Sequence, residues 1–413
     1  MISFLIYRLV IGVYVLGIKV ASLFQPKAKL FVDGRKGLLD KIRRSLINEE
    51  RRRIWVHCAS LGEFEQGRPV IEALRVQHPD YAIILTFFSP SGYEVRKDYD
   101  GADHIFYLPV DNLYNAQTFI GLVSPSICLF VKYELWYFYL SALKQDGVAT
   151  ILFSAKFNQD QGFFKWYGGL QREMLSCFTD IFVQDQESVD LLKSININNA
   201  IIGGDTRFDR VVKAASQVIT LPIAEAFCGS SKILIAGSTW TDDEQLLCKA
   251  LPSLPEGWKL ILVPHEVHES HINEIVRSYE NDVVKWSEWS GSSDRKVLLV
   301  DKVGFLLQLY RYGTAAWVGG GFGKAGVHNV LEPAVYGLPC FYGPVFHQFI
   351  EAVDLVEQGG AKVVNKPEDL IGLLSSFHNE AIYRRMAVAA KEYVMSRQGA
   401  TEKVMTRIDQ YIS

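Results

Sequence analysis

The sequence predicts an α/β protein: two doubly wound domains with parallel sheets, preceded by an apolar helix. Three observations carry this. Short apolar runs alternate with helical patterns in two separate series, a glycine-containing break divides the series, and the stretch from Ile2 to Phe24 is almost wholly apolar. At 413 residues, 49% hydrophobic and 22% charged, the chain is long enough for two ordinary cores.

From Ile2 to Phe24 the only charges are Arg8 and Lys19, eleven residues apart. That spacing is close to three helical turns, so the two share a face with Gly12 and Ser22. A polar stripe on an apolar helix suits a membrane interface and reads as a retained anchor. Between Lys27 and Arg53 stand ten basic residues against four acidic ones, which favours anionic lipid and the cytoplasmic side. Those basic residues occupy the place where a signal peptide would carry its small-residue cleavage site.

The first series of expected strands is Ile54 to Cys58, Ala82 to Phe87, His104 to Tyr107, Ile127 to Val131, Ala149 to Phe153 and Ile181 to Val183. Helix-like stretches such as Pro69 to Gln77 and Val189 to Ser194 connect them. The second series is Ile233 to Ala236, Leu260 to Val263, Val297 to Val300, Ala315 to Val318, Cys340 to Tyr342 and Lys362 to Val364. Each series reads as one Rossmann-like domain. The expected division is an anchor helix over 1–26, a first domain over 27–205, a linker over 206–229 and a second domain over 230–413. The amphipathic tail from Glu380 to Ile412 is a candidate to cross back to the first domain. The cleft faced by two such domains is the default ligand site.

A net charge of -3 argues against nucleic-acid wrapping as the main task. The six cysteines are scattered without a C-x-x-C pair, which fits a reducing compartment. The run His265-Glu266-Val267-His268-Glu269-Ser270-His271 lacks the H-E-x-x-H spacing of a zinc site, so no metal is expected.

The residues with chemistry fall at the carboxyl ends of expected strands, where open α/β sheets meet their ligands. Glu63 follows the first strand. It reads either as a general base or as a carboxylate complementing a helix dipole. Lys132-Tyr133-Glu134-Leu135-Trp136 follows the fourth strand and Ser154-Ala155-Lys156 the fifth. Arg207, in Asp205-Thr206-Arg207-Phe208-Asp209, reads as a phosphate-facing guanidinium or as a surface arginine. In the second series, Gly237-Ser238-Thr239 follows a strand and suits a phosphate, with Thr239 alternatively a helix cap. Pro264 and His265 end the next strand, where main-chain groups can hold a base edge. The turn Gly319-Gly320-Gly321-Phe322-Gly323, followed by His328-Asn329-Val330-Leu331-Glu332-Pro333, reads as a nucleotide site. Free amides and a helix N-terminus would meet a phosphate there, and Glu332 the hydroxyls of a ribose; the alternative is that the glycines only make a turn and Glu332 only complements the helix dipole.

Taken in order, these segments resemble the Kdo transferases of lipopolysaccharide assembly, which are glycosyltransferases of the two-Rossmann-domain (GT-B) type. The matching segments are the anchor with its basic stretch, Ser60 to Glu63, Ser89 to Gly92, Tyr133 to Trp136, Ser154 to Lys156, Gly203 to Asp209, Gly237 to Thr239 and His328 to Pro333. The resemblance implies transfer of Kdo from CMP-Kdo to a lipid A precursor of the lipid IVA type, with inversion, at the cytoplasmic face of the inner membrane. It implies no cofactor and no bound metal. Carried over, Glu63 matches the proton acceptor, and Glu134 and Arg207 the transition-state stabilisers. Pro264-His265, Val303-Gly304-Phe305 and Asn329-Val330-Leu331-Glu332 match the CMP contacts. Three positions depart from the family pattern: Arg207 stands where lysine is common, His265 where arginine is common, and Val303-Gly304-Phe305 where Met-Gly-Glu is usual. A nucleotide-sugar 2-epimerase of the same fold and a non-catalytic, membrane-tethered nucleotide-sugar binding protein are the competing readings.

Overall fold

The computed structural model describes residues 2–291 and 294–412. The chain divides into two compact units: Met1–Arg210 with Gln398–Ser413, and Val211–Arg397.

The first unit holds seven parallel strands: β1 (Arg52–Cys58), β2 (Tyr81–Phe87), β3 (His104–Tyr107), β4 (Ile127–Val131), β5 (Ala149–Ala155), β6 (Asp180–Val183) and β7 (Ala200–Ile202). Their order is β3-β2-β1-β4-β5-β6-β7, so the winding reverses between β1 and β4. Successive residues of β1 feed opposite faces of this doubly covered sheet. Trp55 packs among Phe119, Phe130 and Tyr139 on one face. Ile54, Val56 and Cys58 join Phe64, Leu85 and Leu129 on the other. The last helix, Ala400–Ile412, belongs to this second face: it buries Val404, Met405, Ile408 and Ile412 there, and Arg407 pairs with buried Asp180 at 2.8 Å.

The second unit holds β8 (Lys232–Thr239), β9 (Trp258–Pro264), β10 (Val283–Lys285), β11 (Val297–Leu299), β12 (Ala315–Val318), β13 (Cys340–Tyr342) and β14 (Ala361–Val363), again all parallel. The order is β10-β11-β9-β8-β12-β13-β14, with the reversal between β8 and β12. Two strands absent from the sequence reading, β7 and β10, are three-residue edge strands. Such short pieces carry no period to detect.

Residues 206–229 are mostly helical, Thr206–Ser216 and Pro222–Cys228, and the second of these buries Ala224, Phe227 and Cys228 in the core of the second unit. The N-terminal helix, Ile2–Ala21, turns Phe4, Tyr7, Ile11 and Val15 partly inward. Phe4 sits edge-on to Tyr137 and Phe138, and the Tyr7 hydroxyl donates to buried Asp111. Its other side leaves Leu5, Leu9, Val13, Leu16 and Val20 exposed. By length and composition the segment Phe4–Ala21 is apolar enough to cross a membrane.

Candidate active site

In the first unit the candidate residues gather where β1 and β4 part, the crevice a doubly wound sheet leaves open at its reversal. Glu63 occupies the first turn of the Leu61–Gln77 helix, and its Oε2 accepts the Ala59 amide at 2.5 Å. The carboxyl is nevertheless pushed up to about 8, first by burial and then by the negative charge of Glu134. The Ala59 and Ser60 amides and Lys132 oppose that shift without cancelling it. Glu63 thus accepts a main-chain amide at its helix start, and its carboxyl has a proton affinity near neutral pH, the range in which a general base works.

Glu134 follows Lys132, which just after β4 takes a left-handed conformation with φ 61°. Ser154 on β5 does the same at φ 55°. Non-glycine residues in that region cost backbone energy and concentrate at functional sites. Lys156, on the same rim, pairs with Asp185 at 3.1 Å. Arg207 is aimed by Asp205, which takes its Nε at 2.9 Å and a terminal nitrogen at 2.8 Å. Buried Asp205 is itself held by Gln66 and Gln184, and the Arg207 charge keeps its carboxyl below the usual range against the cost of burial. Gln66 lies one helical turn beyond Glu63, so the hydrogen-bond network ties Arg207 to the helix that carries Glu63.

In the second unit the chemistry again gathers at the reversal, between the ends of β8 and β12. Gly237 has no room for a side chain: a Cβ there would lie 2.2 Å from the Tyr310 hydroxyl. Ser238 is left-handed at φ 52°, where the β8–β9 register is interrupted. Thr239 is buried, and its hydroxyl donates to Glu244 at 3.0 Å. Ser238 is thus the hydroxyl of this turn that is partly open.

The glycine turn after β12 differs from its sequence reading as a row of free amides on a helix N-terminus. Gly319 donates to Gly237 O at 2.9 Å, Gly320 to Asp243 Oδ2 at 2.9 Å and Gly323 to Gly320 O at 3.0 Å. A Cβ on Gly319 would sit 2.2 Å from Ser238 O, so the glycine there serves close strand-end packing. The helix after Asn329 is a single turn, Leu331–Ala334, too short to carry much dipole. Asp243, in the first turn of the Thr241–Ala250 helix, is buried and holds both turns, accepting from Trp240 N, Gly320 N and Trp317 Nε1.

Pro264 ends β9, and the His265 amide donates to Thr239 O. The His265 ring stacks on Trp240 at 4.7 Å and on His328 at 4.5 Å. Trp240 Nε1 donates to His328 Nε2 at 2.8 Å. Burial and the adjacent His265 push His328 down to about 4, so it stays neutral and accepts that bond. Sequence reasoning passed over Trp240 because one tryptophan in a loop has no pattern. His271 pairs instead with Glu244 at 3.1 Å, and among the described residues no group of three or more His, Cys, Asp or Glu is arranged to hold a metal.

Val303 is exposed, Gly304 is left-handed at φ 97°, and Phe305 stacks on Trp286 at 5.4 Å. Asn329 donates to Glu332 Oε1 at 3.1 Å and accepts from the Leu331 amide. Val330 and Leu331 are buried, so only their main chain can meet a ligand. The charge of Glu332 is felt by buried Tyr310, the residue against Gly237. Gly237, Glu332 and the segment after Phe305 are thus neighbours despite their separation in sequence.

The fold is shared with a UDP-GlcNAc 2-epimerase from Neisseria meningitidis bound to UDP-GlcNAc (TM-score 0.61, 15% identity, 87% of this chain and 100% of that one). It is also shared with Acinetobacter baumannii MurG (TM-score 0.56, 12% identity, 87% and 99%). At those identities the likeness establishes architecture only. The family described as 3-deoxy-D-manno-octulosonic-acid transferase (kdotransferase) matches residues 33–210. A 3-deoxy-D-manno-octulosonic acid transferase of Aquifex aeolicus is 30% identical over 322 residues, 76% of this chain and 83% of that one. Another, from Haemophilus influenzae, is 23% identical over 380 residues, 87% of each. Fold and relatives together define a glycosyltransferase of the GT-B class. Within that class, the chain belongs to the Kdo transferase family.

Proposed function

We propose that this chain moves Kdo from CMP-Kdo to a sugar hydroxyl of a lipid A precursor of the lipid IVA type, with inversion and without a cofactor or bound metal. The observation that carries the reading is Glu63: a carboxyl beside Glu134 at the strand reversal, pushed up to about 8 by burial and that neighbour. In the reaction, the acceptor oxygen attacks C2 of Kdo as Glu63 takes its proton. The C2–oxygen bond to CMP breaks, and CMP departs with the electron pair. Attack from the face opposite the leaving group inverts the anomeric centre. Glu134 stabilises the positive charge that develops on the sugar, and Arg207 the negative charge on the departing phosphate.

The second unit takes the nucleotide, through Gly237-Ser238-Thr239, Pro264-His265, Val303-Gly304-Phe305 and Asn329 to Glu332. An enzyme lying on the membrane suits an acceptor dissolved in it. The exposed apolar side of the Ile2–Ala21 helix supports attachment to the inner membrane, and so does Trp166, 92% exposed beside Tyr167. The basic stretch that follows the helix favours its cytoplasmic face.

The experiment is CMP release from CMP-Kdo with and without lipid acceptor. A transferase releases CMP in step with acceptor glycosylation. Release without acceptor favours epimerase-like chemistry, and tight binding without release favours a non-catalytic binder.

A further inference from the structure

Two buried polar atoms face each other in the first unit. His57 lies within β1, fully buried, and its Nε2 stands 3.6 Å from Glu134 Oε2. Neither atom has a hydrogen-bond partner, although most buried polar atoms do. The other ring nitrogen is engaged: Nδ1 lies 2.8 Å from Thr86 Oγ1, because Thr86 is the residue of β2 directly beside His57. The same hydroxyl oxygen receives Trp55 Nε1–H at 2.8 Å.

An indole nitrogen only donates, while a hydroxyl has one hydrogen to give. The Thr86 oxygen can also accept twice, so the Trp55 bond suits either His57 tautomer; the one that serves both partnerless atoms has Thr86 donating to Nδ1 and leaves Nε2–H for Glu134 Oε2. In that arrangement the neutral imidazole carries its proton on Nε2, pointing at Glu134.

We propose that His57 is a positioning residue for the carboxylate pair: its Nε2–H, facing the partnerless Glu134 oxygen while Thr86 holds Nδ1, keeps Glu134 as the ionised member while Glu63 accepts the proton. This rests on the reading of Glu63 as the base. Two close carboxylates resist joint ionisation, and a donor on one decides which keeps the charge. Glu63, Cys58, Tyr7 and Tyr14 all sense the Glu134 charge, and Lys132 acts on Glu63. His57 Nε2 is the ring nitrogen that faces Oε2. Closing 3.6 Å to a hydrogen bond needs less than 1 Å of movement, about 0.7 Å to reach a usual N–H to oxygen distance.

The test compares His57→Phe and His57→Gln in the full chain held in detergent micelles. His57→Phe keeps a bulky side chain and removes the donor; His57→Gln keeps an N–H near the position of Nε2. The phenylalanine variant is expected to lower kcat about 10- to 100-fold, the range of a lost bond to a charged group. KM for CMP-Kdo should stay within about twofold, and the acid limb of the kcat profile should move to higher pH. Glutamine should restore most of the rate and the original limb. Equal losses in both variants with an unmoved limb would assign His57 to packing alone and overturn the proposal. Nitrogen-15 NMR of the unmutated chain gives a readout independent of variant folding: a proton on His57 Nε2 is expected, and a proton on Nδ1 overturns it. Failure of the base assignment is seen separately, as retained activity in Glu63→Gln with the His57 tautomer unchanged.

Discussion

Replacing Glu63 by glutamine tests the proposed base and the burial of its carboxyl in a single variant. Its proton affinity is raised from the ordinary 4.5 to about 8. Between those values the folded chain holds a proton that the unfolded chain has released. By linkage, the favourable contribution of the protonated form is complete below pH 4.5 and is lost as pH rises through about 8. At about 1.4 kcal/mol for each pH unit crossed, ionising this buried carboxyl costs the folded state at most about 5 kcal/mol. Glutamine keeps the shape and an oxygen for the Ala59 amide but never ionises. The assay is the difference in unfolding free energy between Glu63→Gln and its parent, measured from pH 4 to pH 9. Other titrating groups largely cancel in that difference. The variant should match its parent near pH 4 and exceed it by a few kcal/mol at pH 9, while transfer falls by about 10² to 10⁴-fold. The parent's kcat should rise with pH through about 8, as the base loses its proton. A stability difference flat in pH would show that Glu63 is not held protonated, and near-normal transfer would refute it as the base.

Arg207→Ala should lower kcat about 100-fold or more and, by leaving buried Asp205 without its cation, destabilise the first unit by about 3 kcal/mol; adding Asp205→Asn should recover stability without activity, as read by thermal melting beside turnover. Gly237→Ala places a methyl 2.2 Å from the Tyr310 hydroxyl and should weaken CMP binding and cost about 1–3 kcal/mol. Tyr310→Phe in the same chain should relieve part of both losses, measured by calorimetric titration and melting. Deleting residues 1–24 should release the chain from anionic phospholipid vesicles in a flotation assay and leave both cores folded. Asp111 then loses the Tyr7 hydroxyl, so a lower melting temperature is expected for the first unit.

Much of the candidate site was legible because the side chains an open α/β sheet offers to a ligand follow strand ends, and strand ends show as the close of an apolar run. Glu63, Glu134 and Gly237 are all found that way. The glycine turn at 319–323 was legible as a turn but not as packing. Its amide at Gly320 is taken by Asp243, 77 residues away, and no local pattern reports such a bond. Trp240 and His265, at the ends of β8 and β9, and His328, in the loop after β12, assemble into one stack, and His57 is hidden inside an apolar run whose alternation shows only that it is buried.

The sequence by itself determined the parallel α/β class, the anchor-like helix and the kinds of side chain offered at each strand end, because hydrophobic period and turn chemistry act within a few residues. Tertiary structure decided that β1 lies against β4 and β8 against β12. That adjacency brings Glu134 to Glu63 and the two glycine turns to each other. It also sets the proton affinity of Glu63, since burial and the field of a second carboxylate depend on distance in space and not on separation along the chain.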